Sequence, residues 1–307
     1  MKTVLITGGA GFIGSHTTDF LLKNNTRVIV FDDLSSGKLT HLDLFNPHLE
    51  FQPGDILDYP ALLKQVHRVD AILHLAAVTS VPLSIADPVR SLRVNTQGFL
   101  HVLQAIREVQ KPIRLVYASS AAVYGNEVNL PCRDEPISAL QAVLSPYALE
   151  KANTERYADL YARLFGIPSL ALRYFNVYGP RQDPASPYSG VIAKFLAAYQ
   201  KKEPILLCGD GLQSRDFIYV DDVARANWQA LQSESVGAMN VATGVPETLQ
   251  NLVRYIETIG GDKITTVAAP ARAGDIRESY ATIQKAKEAM AFTYTIPLAA
   301  GIEKMMR

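Results

Sequence analysis

The chain has 307 residues, 48% of them hydrophobic. That is enough for one large α/β core, or for a large domain with a smaller appendage. Thirty basic residues balance thirty acidic ones, which excludes a net field that would draw in nucleic acid or a charged membrane surface and leaves any bound anion to local basic groups.

Met1 leads directly into a strand pattern, so no secretory leader is expected, and no apolar run reaches the ~18 residues that suggest a membrane span. The two cysteines, Cys132 and Cys208, and the six scattered histidines show no ligand spacing. Neither a disulfide framework nor a metal site is expected, and the sparse thiols fit a reducing, cytoplasmic setting.

The β-branched run at 3–7 predicts a strand. It is followed by Gly8-Gly9-Ala10-Gly11-Phe12-Ile13-Gly14 and a helical pattern over 12–23. Gly8, Gly11 and Gly14 stand at GxxGxxG spacing. Residues without side chains permit a tight turn and close backbone approach to a pyrophosphate, and the helix N-terminus beyond offers unpaired N–H groups. The next predicted strand, 27–31, runs into Asp32, 18 residues after Gly14. A carboxylate there accepts the ribose hydroxyls and repels a 2′-phosphate, which points to NAD rather than NADP. The bland reading makes Asp32 and Asp33 solvated turn residues. Ligands of this architecture lie at strand ends. That adds Asp55, beside Ile56, as a partner for the adenine amine. It also adds Leu75-Ala76-Ala77, small residues closing the strand predicted over 71–75.

Helical patterns at 61–66, 89–109 and 146–165 alternate with strands at 113–118 and 169–174. The strands are apolar on both faces, as in a buried parallel sheet. The fold class is therefore α/β, a doubly wound Rossmann-type sheet with right-handed crossovers. After about residue 176 the pattern loosens. Gly179-Pro180 and 183–187 are turn material. Helices are predicted at 191–200, 221–232, 247–258 and 283–291, with short strands at 205–207 and 239–241. This gives a cofactor domain over 1–176, with segments near 217–243 returning to it, and a smaller α+β C-terminal lobe over 177–307.

Tyr147 and Lys151 are spaced i, i+4 and leave one helix face. A nearby ammonium favours a phenolate, which can take a proton from a sugar hydroxyl. Pro146 suits a first helical turn, so the positive helix end favours the phenolate further. The chain has 14 tyrosines, so a chance YxxxK is unremarkable by itself. Its place after the strand that ends Ala118-Ser119-Ser120 decides the matter, and Ser120 can donate to the same reacting oxygen.

The glycine loop, Tyr-Ala-Ser-Ser-Ala-Ala-Val-Tyr-Gly at 117–125, the Tyr147/Lys151 pair, the run 173–184, Gly209-Asp210-Gly211, Ser214-Arg215-Asp216-Phe217 and Arg272-Ala273-Gly274-Asp275 carry a resemblance over nearly the whole chain. The sequence resembles the extended short-chain dehydrogenases, within them the NAD-dependent epimerase/dehydratase family, and is similar to UDP-glucose and UDP-N-acetylglucosamine 4-epimerases. The resemblance implies reversible C4 epimerisation by transient hydride transfer to bound NAD. Tyr147 is implied as base, Lys151 as its modulator and Ser120 as its partner. Phe12, Ile13, Ile56, Asn95 and Tyr174 are implied on the cofactor. Ser80, Asn176, Gln182, Gly190, Val191, Arg215, Arg272, Asp275 and Ser279 are implied on the UDP-sugar. Arg215, Arg272 and Asn176 serve the diphosphate and its ribose. The competing reading of Arg215 is a surface pair with an acid such as Asp216.

Related dehydratases and decarboxylases carry extra acids where this chain has Ala121 and Ala122, which favours plain epimerisation. Gly190 and Ser279 leave room for a 2-acetamido group. The resemblance also implies a homodimer through the helices at 89–109 and 146–165. Two other functions stay open: a net oxidoreductase on a dTDP- or GDP-linked sugar, which needs cofactor resupplied, and a non-catalytic NAD-binding regulator, for which Ser120, Tyr147 and Lys151 have no use.

Overall fold

Alternate residues of the buried strands feed two separate apolar layers, and this builds the main body of the protein. The computed structural model describes residues 2–127, 129–136, 143–183, 190–270 and 276–307. Seven strands form one parallel sheet: β1 (Thr3–Thr7), β2 (Arg27–Asp32), β3 (Leu49–Pro53), β4 (Ala71–His74), β5 (Arg114–Ser120), β6 (Ser169–Tyr174) and β10 (Gly237–Val241). Their spatial order is β10-β6-β5-β4-β1-β2-β3. The strand order reverses between β1 and β4, the position at which such sheets open a crevice for ligands.

Val4, Ile6, Val28 and Val30 pack on one face with Leu21 of α1 (Phe12–Lys23) and Val223 and Ala226 of α8 (Val220–Gln232). Leu5 and Ile29 point to the other face. There they meet Leu62 of α2 (Tyr59–Val66) and Phe99, Val102 and Leu103 of α5 (Gly98–Val109). The period of two along each strand places these residues on opposite faces. Truncating one of these fully buried side chains to alanine costs about 2–5 kcal/mol.

A second body lies beyond β6. Its four-stranded sheet joins β7 (Asn176–Tyr178), β9 (Ser214–Tyr219), β11 (Pro246–Thr248) and β13 (Glu278–Ser279) around β9. A two-stranded sheet pairs β8 (Ile205–Cys208) with β12 (Thr266–Ala269). Phe195 and Leu196 of α7 (Val191–Lys201), Leu252 and Ile256 of α9 (Leu249–Gly260) and Ile302 of α11 (Leu298–Met306) close its core. The chain then returns to the first body. α8 packs on α1, β10 pairs in register with β6, and α10 (Gln284–Met290) covers the same face.

The structure differs from the sequence reading in several elements. β3 was not predicted: it is an edge strand, only half-buried, with Glu50 and Gln52 interrupting its apolar signal. The predicted helix over 89–109 is three pieces: α4 (Pro88–Leu92), a π-helical stretch at Arg93–Gln97, and α5. β9 was also unpredicted, because Arg215 and Asp216 interrupt it with charge. Among the described residues no helix is long and apolar enough to cross a membrane. Nor does any group of three His, Cys, Asp or Glu side chains converge on a metal-sized site there.

Candidate active site

The turn after β1 is fixed by backbone sterics. Gly8 has φ +73°, and a Cβ on it would lie 2.7 Å from the Ala76 nitrogen. A Cβ on Gly14 would sit 2.1 Å from the Gly8 carbonyl oxygen, so α1 can approach the turn only with glycine there. Gly11 differs. A Cβ there would meet only the Gly8 oxygen, at 3.3 Å. Gly11 is the N-cap of α1, which has no side-chain cap and no acid in its first turn. Phe12 and Ile13 begin that helix and are half-buried.

Asp32 ends β2 and is buried. Its carboxylate accepts from the N–H of Ala10 (2.9 Å) and of Leu34 (2.8 Å). Burial pushes its carboxyl up, and those two backbone donors and the Asp33 charge act on it more weakly. It is thus no solvated turn residue: it braces the glycine turn and still has lone pairs to offer. Asp55 is exposed and accepts from Leu57 N–H (2.8 Å), while the Ile56 side chain belongs to the core. Leu75, Ala76 and Ala77 follow β4 and are half-buried.

The candidate reacting group, Tyr147, lies in the first turn of a helix beside Ser120, the last residue of β5. Ser145 caps α6 (Pro146–Phe165), accepting from Ala148 N–H at 3.1 Å, and Pro146 is in the first turn. Tyr147 is therefore the second helical residue, and its own N–H donates to Ser84 Oγ (3.1 Å) of the short helix α3 (Val81–Ala86). The Tyr147 ring is buried, and the Ser120 side chain lies near enough to its hydroxyl to favour the phenolate. Ser120 Oγ also accepts from Ala122 N–H (3.2 Å). Lys151 lies one turn on, with Nζ 5.9 Å from the Tyr147 ring centroid and donating to the Ala118 carbonyl at 2.8 Å.

The electrostatics depart from the sequence reading. Burial is the largest influence on Tyr147 and pushes the phenol up. The Ser120 hydrogen bond opposes that, and the Glu150 charge adds to it. Lys151 does not dominate the phenol as its spacing implied. Burial lowers Lys151 itself to about 8, against the opposing charges of Glu150 and Glu155. Beside it on β4, His74 is buried and hydrogen-bonded to Thr7 Oγ1 (2.8 Å). Burial, then the Lys151 charge, lowers His74 to about 3, so it is neutral.

Several supporting residues were not foreseen. Arg173, fully buried, forms a two-pronged pair with Glu155 (2.9 and 2.6 Å), and Ser119 Oγ donates to the same carboxylate at 2.6 Å. This pins α6 to β5 and β6. The alternation that turns Ser120 toward Tyr147 turns Ser119 toward Glu155. Ser84, Glu150, Glu155 and His74 carried no motif. Only the i, i+3 spacing of Glu150 from Tyr147 on α6 could have flagged one of them.

Other implied residues take more structural places. Asn95 clamps Val78, accepting from its N–H (2.8 Å) and donating to its carbonyl (3.0 Å). Ser80 caps α3 by accepting from Leu83 N–H (3.0 Å). The Tyr174 side chain lies in the core, with its hydroxyl donating to Asn227 at 2.6 Å. Asn176 Nδ2 donates to the Asp216 carbonyl (3.2 Å). Gln182 Oε1 is buried without a partner, and a Cβ on Gly190 would press to 3.0 Å from the Gln182 amide nitrogen. Gly190 caps α7 and Val191 is its first residue. Arg215 donates to the Ser214 carbonyl and stands in register with Ser279. Asp216 is not on the surface to pair there. Asp216 is fully buried and accepts from Thr243 N–H (2.7 Å), Thr243 Oγ1 (2.7 Å) and Gly244 N–H (2.8 Å). Arg272 and Asp275 lie outside the described residues.

The model of the NAD dependent epimerase/dehydratase family matches residues 4–242, spanning both the glycine turn and the Tyr147/Lys151 pair. The chain belongs to this family. It is 38% identical over 306 residues to a putative UDP-glucose 4-epimerase of Methanocaldococcus jannaschii, covering 99% of this chain and 97% of that protein. Among solved structures, it superposes on the UDP-N-acetylglucosamine 4-epimerase of Methanobrevibacter ruminantium, in complex with UDP-N-acetylmuramic acid, with TM-score 0.92 at 36% identity (99% and 97% of the two chains). It matches the UDP-glucose 4-epimerase of Thermotoga maritima, with UDP-glucose, at TM-score 0.92 and 35% identity over the same shares.

As a member of the NAD-dependent epimerase/dehydratase family the protein is an NAD enzyme, and its residues fit that cofactor. Among the described residues a Cβ at position 11 would meet only the Gly8 oxygen, at 3.3 Å, and the open space beside the uncapped α1 N-terminus suits a pyrophosphate. The buried Asp32 carboxylate suits a 2′-hydroxyl and opposes a 2′-phosphate.

Proposed function

We propose that the protein reversibly inverts C4 of a UDP-hexose, with UDP-GlcNAc/UDP-GalNAc and/or UDP-Glc/UDP-Gal as its substrate pair. The observation that carries this reading is the buried Tyr147 beside Ser120 at the end of β5, with Lys151 one turn away and only alanine at 121 and 122.

NAD, held by the glycine turn, Asp32 and the 75–77 loop, supplies a hydride acceptor and donor when bound. Tyr147 Oη takes the proton of the 4-hydroxyl and later returns it. Ser120 donates to the same oxygen. Its hydroxyl is oriented for this because its lone pair already receives Ala122 N–H. The Lys151 ammonium, beside the ring, offsets the negative charge that forms on the phenol. No acid follows Ser120, so the chain has no group there to expel water or direct loss of carbon dioxide. The keto sugar therefore has one course, to turn and be reduced from its other side.

Asn176 and Arg215 hold the diphosphate, joined by Arg272 and Asp275 on the strength of family resemblance. A guanidinium presents a planar fork to phosphate oxygens. α7 begins at Gly190 with no side-chain cap and no acid in its first turn, which favours an anion nearby. Ser279, in register with Arg215, is small, and with Gly190 leaves room for an acetamido group. The cofactor body spans 1–176 with the returning segments, and the sugar lobe 177–307.

The protein pairs with a second copy through the helical segments at 89–109 and 146–165, where Val89 (68%) and Leu164 (62%), with Leu92, Leu149 and Leu160, expose apolar side chains that such a contact would cover. Both cysteines are free, in keeping with a reducing, cytoplasmic setting.

The test is incubation of purified protein with UDP-Glc and UDP-GlcNAc separately, without added NADH, following C4 by proton NMR. Inversion of either sugar is the expected result. A protein that binds NAD and leaves both sugars unchanged contradicts the proposal.

A further inference from the structure

Glu150 lies between the two motif residues of α6 and is only 2% exposed. Burying a carboxylate is costly unless donors satisfy it. Here Oε2 accepts from Ser91 Oγ of α4 (2.7 Å) and from Asn95 Nδ2 (2.6 Å). Asn95 sits in the π-helical stretch, a distortion of the kind that often marks a working site. With its amide nitrogen turned to the carboxylate, its carbonyl oxygen faces Val78 N–H. Two hydrogen-bonded links in series, Glu150 to Asn95 and Asn95 to Val78, thus run from the catalytic helix to the main chain just beyond Leu75-Ala76-Ala77.

We propose that Glu150 is a positioning residue: its carboxylate ties the Tyr147/Lys151 helix to the cofactor-side loop after β4, and its charge sets the proton balance of that pair. This rests on the roles given to Tyr147 and Lys151 above. A buried negative charge opposes a phenolate and supports an ammonium. Glu150 acts in that sense on both neighbours.

The other charged or titratable groups around the pair are few. On α6 there is Glu155, whose charge is paired with Arg173 of β6. On β4 there is His74, which is neutral. β5 presents Ser120, the Ala118 carbonyl and the buried phenol of Tyr117, which feels the Glu155 and Asp159 charges. α3 and α4 present the hydroxyls of Ser84 and Ser91, and Arg90 of α4 is exposed. Among the described residues no salt bridge reaches Glu150, whereas Glu155 is paired with Arg173.

The experiment is a phenolate titration by ultraviolet difference spectroscopy, each variant read against the same protein carrying Tyr147→Phe, beside a pH profile of kcat. Glu150→Gln removes the charge at constant shape. The Tyr147 midpoint is expected to fall by about one pH unit. Both limbs of the profile are expected to move the same way, because phenol and ammonium each lose their proton more readily. Glu150→Asp keeps the charge and returns the midpoint toward the wild-type value. Should Glu150→Gln not fold, Glu150→Ser is read by the same titration. An unmoved midpoint in the folded neutral variant overturns the proposal, even if kcat falls. The titration needs no turnover, so it stands apart from the sugar test. A shifted midpoint in a protein that inverts no UDP-hexose supports the role of Glu150 and sinks the proposed reaction. Inversion with an unmoved midpoint does the reverse.

Discussion

The residues proposed to hold the cofactor and those proposed to hold the sugar are brought together by different means. On the cofactor side one contiguous segment does most of the work. Gly8, Gly11 and Gly14 shape the turn, and Asp32 locks it through Ala10 and Leu34. On the sugar side the implied groups come from distant segments. Asn176, Arg215 and Ser279 become neighbours only because β7 and β13 both pair with β9, in the register Asn176↔Phe217 and Ser279↔Arg215. A dinucleotide needs one rigid cradle. A sugar that must turn over needs a firm hold on its nucleotide and a loose one on its ring, which separate segments can supply.

The sharpest way to break this comparison is at the reacting group. Tyr147→Phe is expected to lower kcat by roughly 10³-fold or more with UDP affinity unchanged, read by initial rates and isothermal titration. If the two sides are separate, loss of the base leaves nucleotide binding intact.

The cradle itself is tested by two glycines. Gly14→Ala forces a methyl into the Gly8 carbonyl and is expected to destabilise the fold by about 1–3 kcal/mol, lowering the melting temperature. Gly11→Ala meets one 3.3 Å contact and should melt near wild type while failing to retain NAD through purification. Equal losses of stability would erase the distinction between a glycine kept for packing and one kept for ligand.

On the sugar side, Arg215→Ala is expected to raise KM for the UDP-sugar about 10- to 100-fold, the loss of a charge-assisted hydrogen bond. NAD retention should not change.

The smallest effect is on stability against pH. His74 is lowered in the folded protein to about 3, so the unfolded chain binds a proton in a window where the native one does not. The stability this group contributes is fully present above about pH 6.5 and is lost as pH falls toward 3. The slope is at most about 1.4 kcal/mol per pH unit for one proton. Denaturant titrations between pH 6.5 and 5 should show a shallower slope for His74→Asn than for wild type.

The same contrast explains how much was legible in the sequence. The glycine turn, Asp32 and the Tyr147/Lys151 pair are local: backbone sterics and helical spacing fix what they do within a few residues. The central strands were legible because both faces are apolar. β3 and β9 were not, since an edge position and a buried acid each break that pattern. The place of Arg215 beside Ser279, and the fate of Asp216 as a buried anchor for Thr243 and Gly244, depend on strand pairing across the chain. No local signal encodes that. The proton balance at Tyr147 was misjudged for a related reason. Spacing shows which groups are near, whereas burial, the larger influence, is a property of the whole fold.

The central claim is that one carbon of a bound UDP-hexose loses hydrogen and regains the same hydrogen on its opposite face, with Tyr147 handling the proton. UDP-glucose and UDP-N-acetylglucosamine carrying deuterium at C4 test it directly. The inverted product should keep the label at C4, with none in the solvent and no inversion in Tyr147→Phe. Inverted product carrying solvent hydrogen at C4, or full inversion without the Tyr147 hydroxyl, would contradict the account.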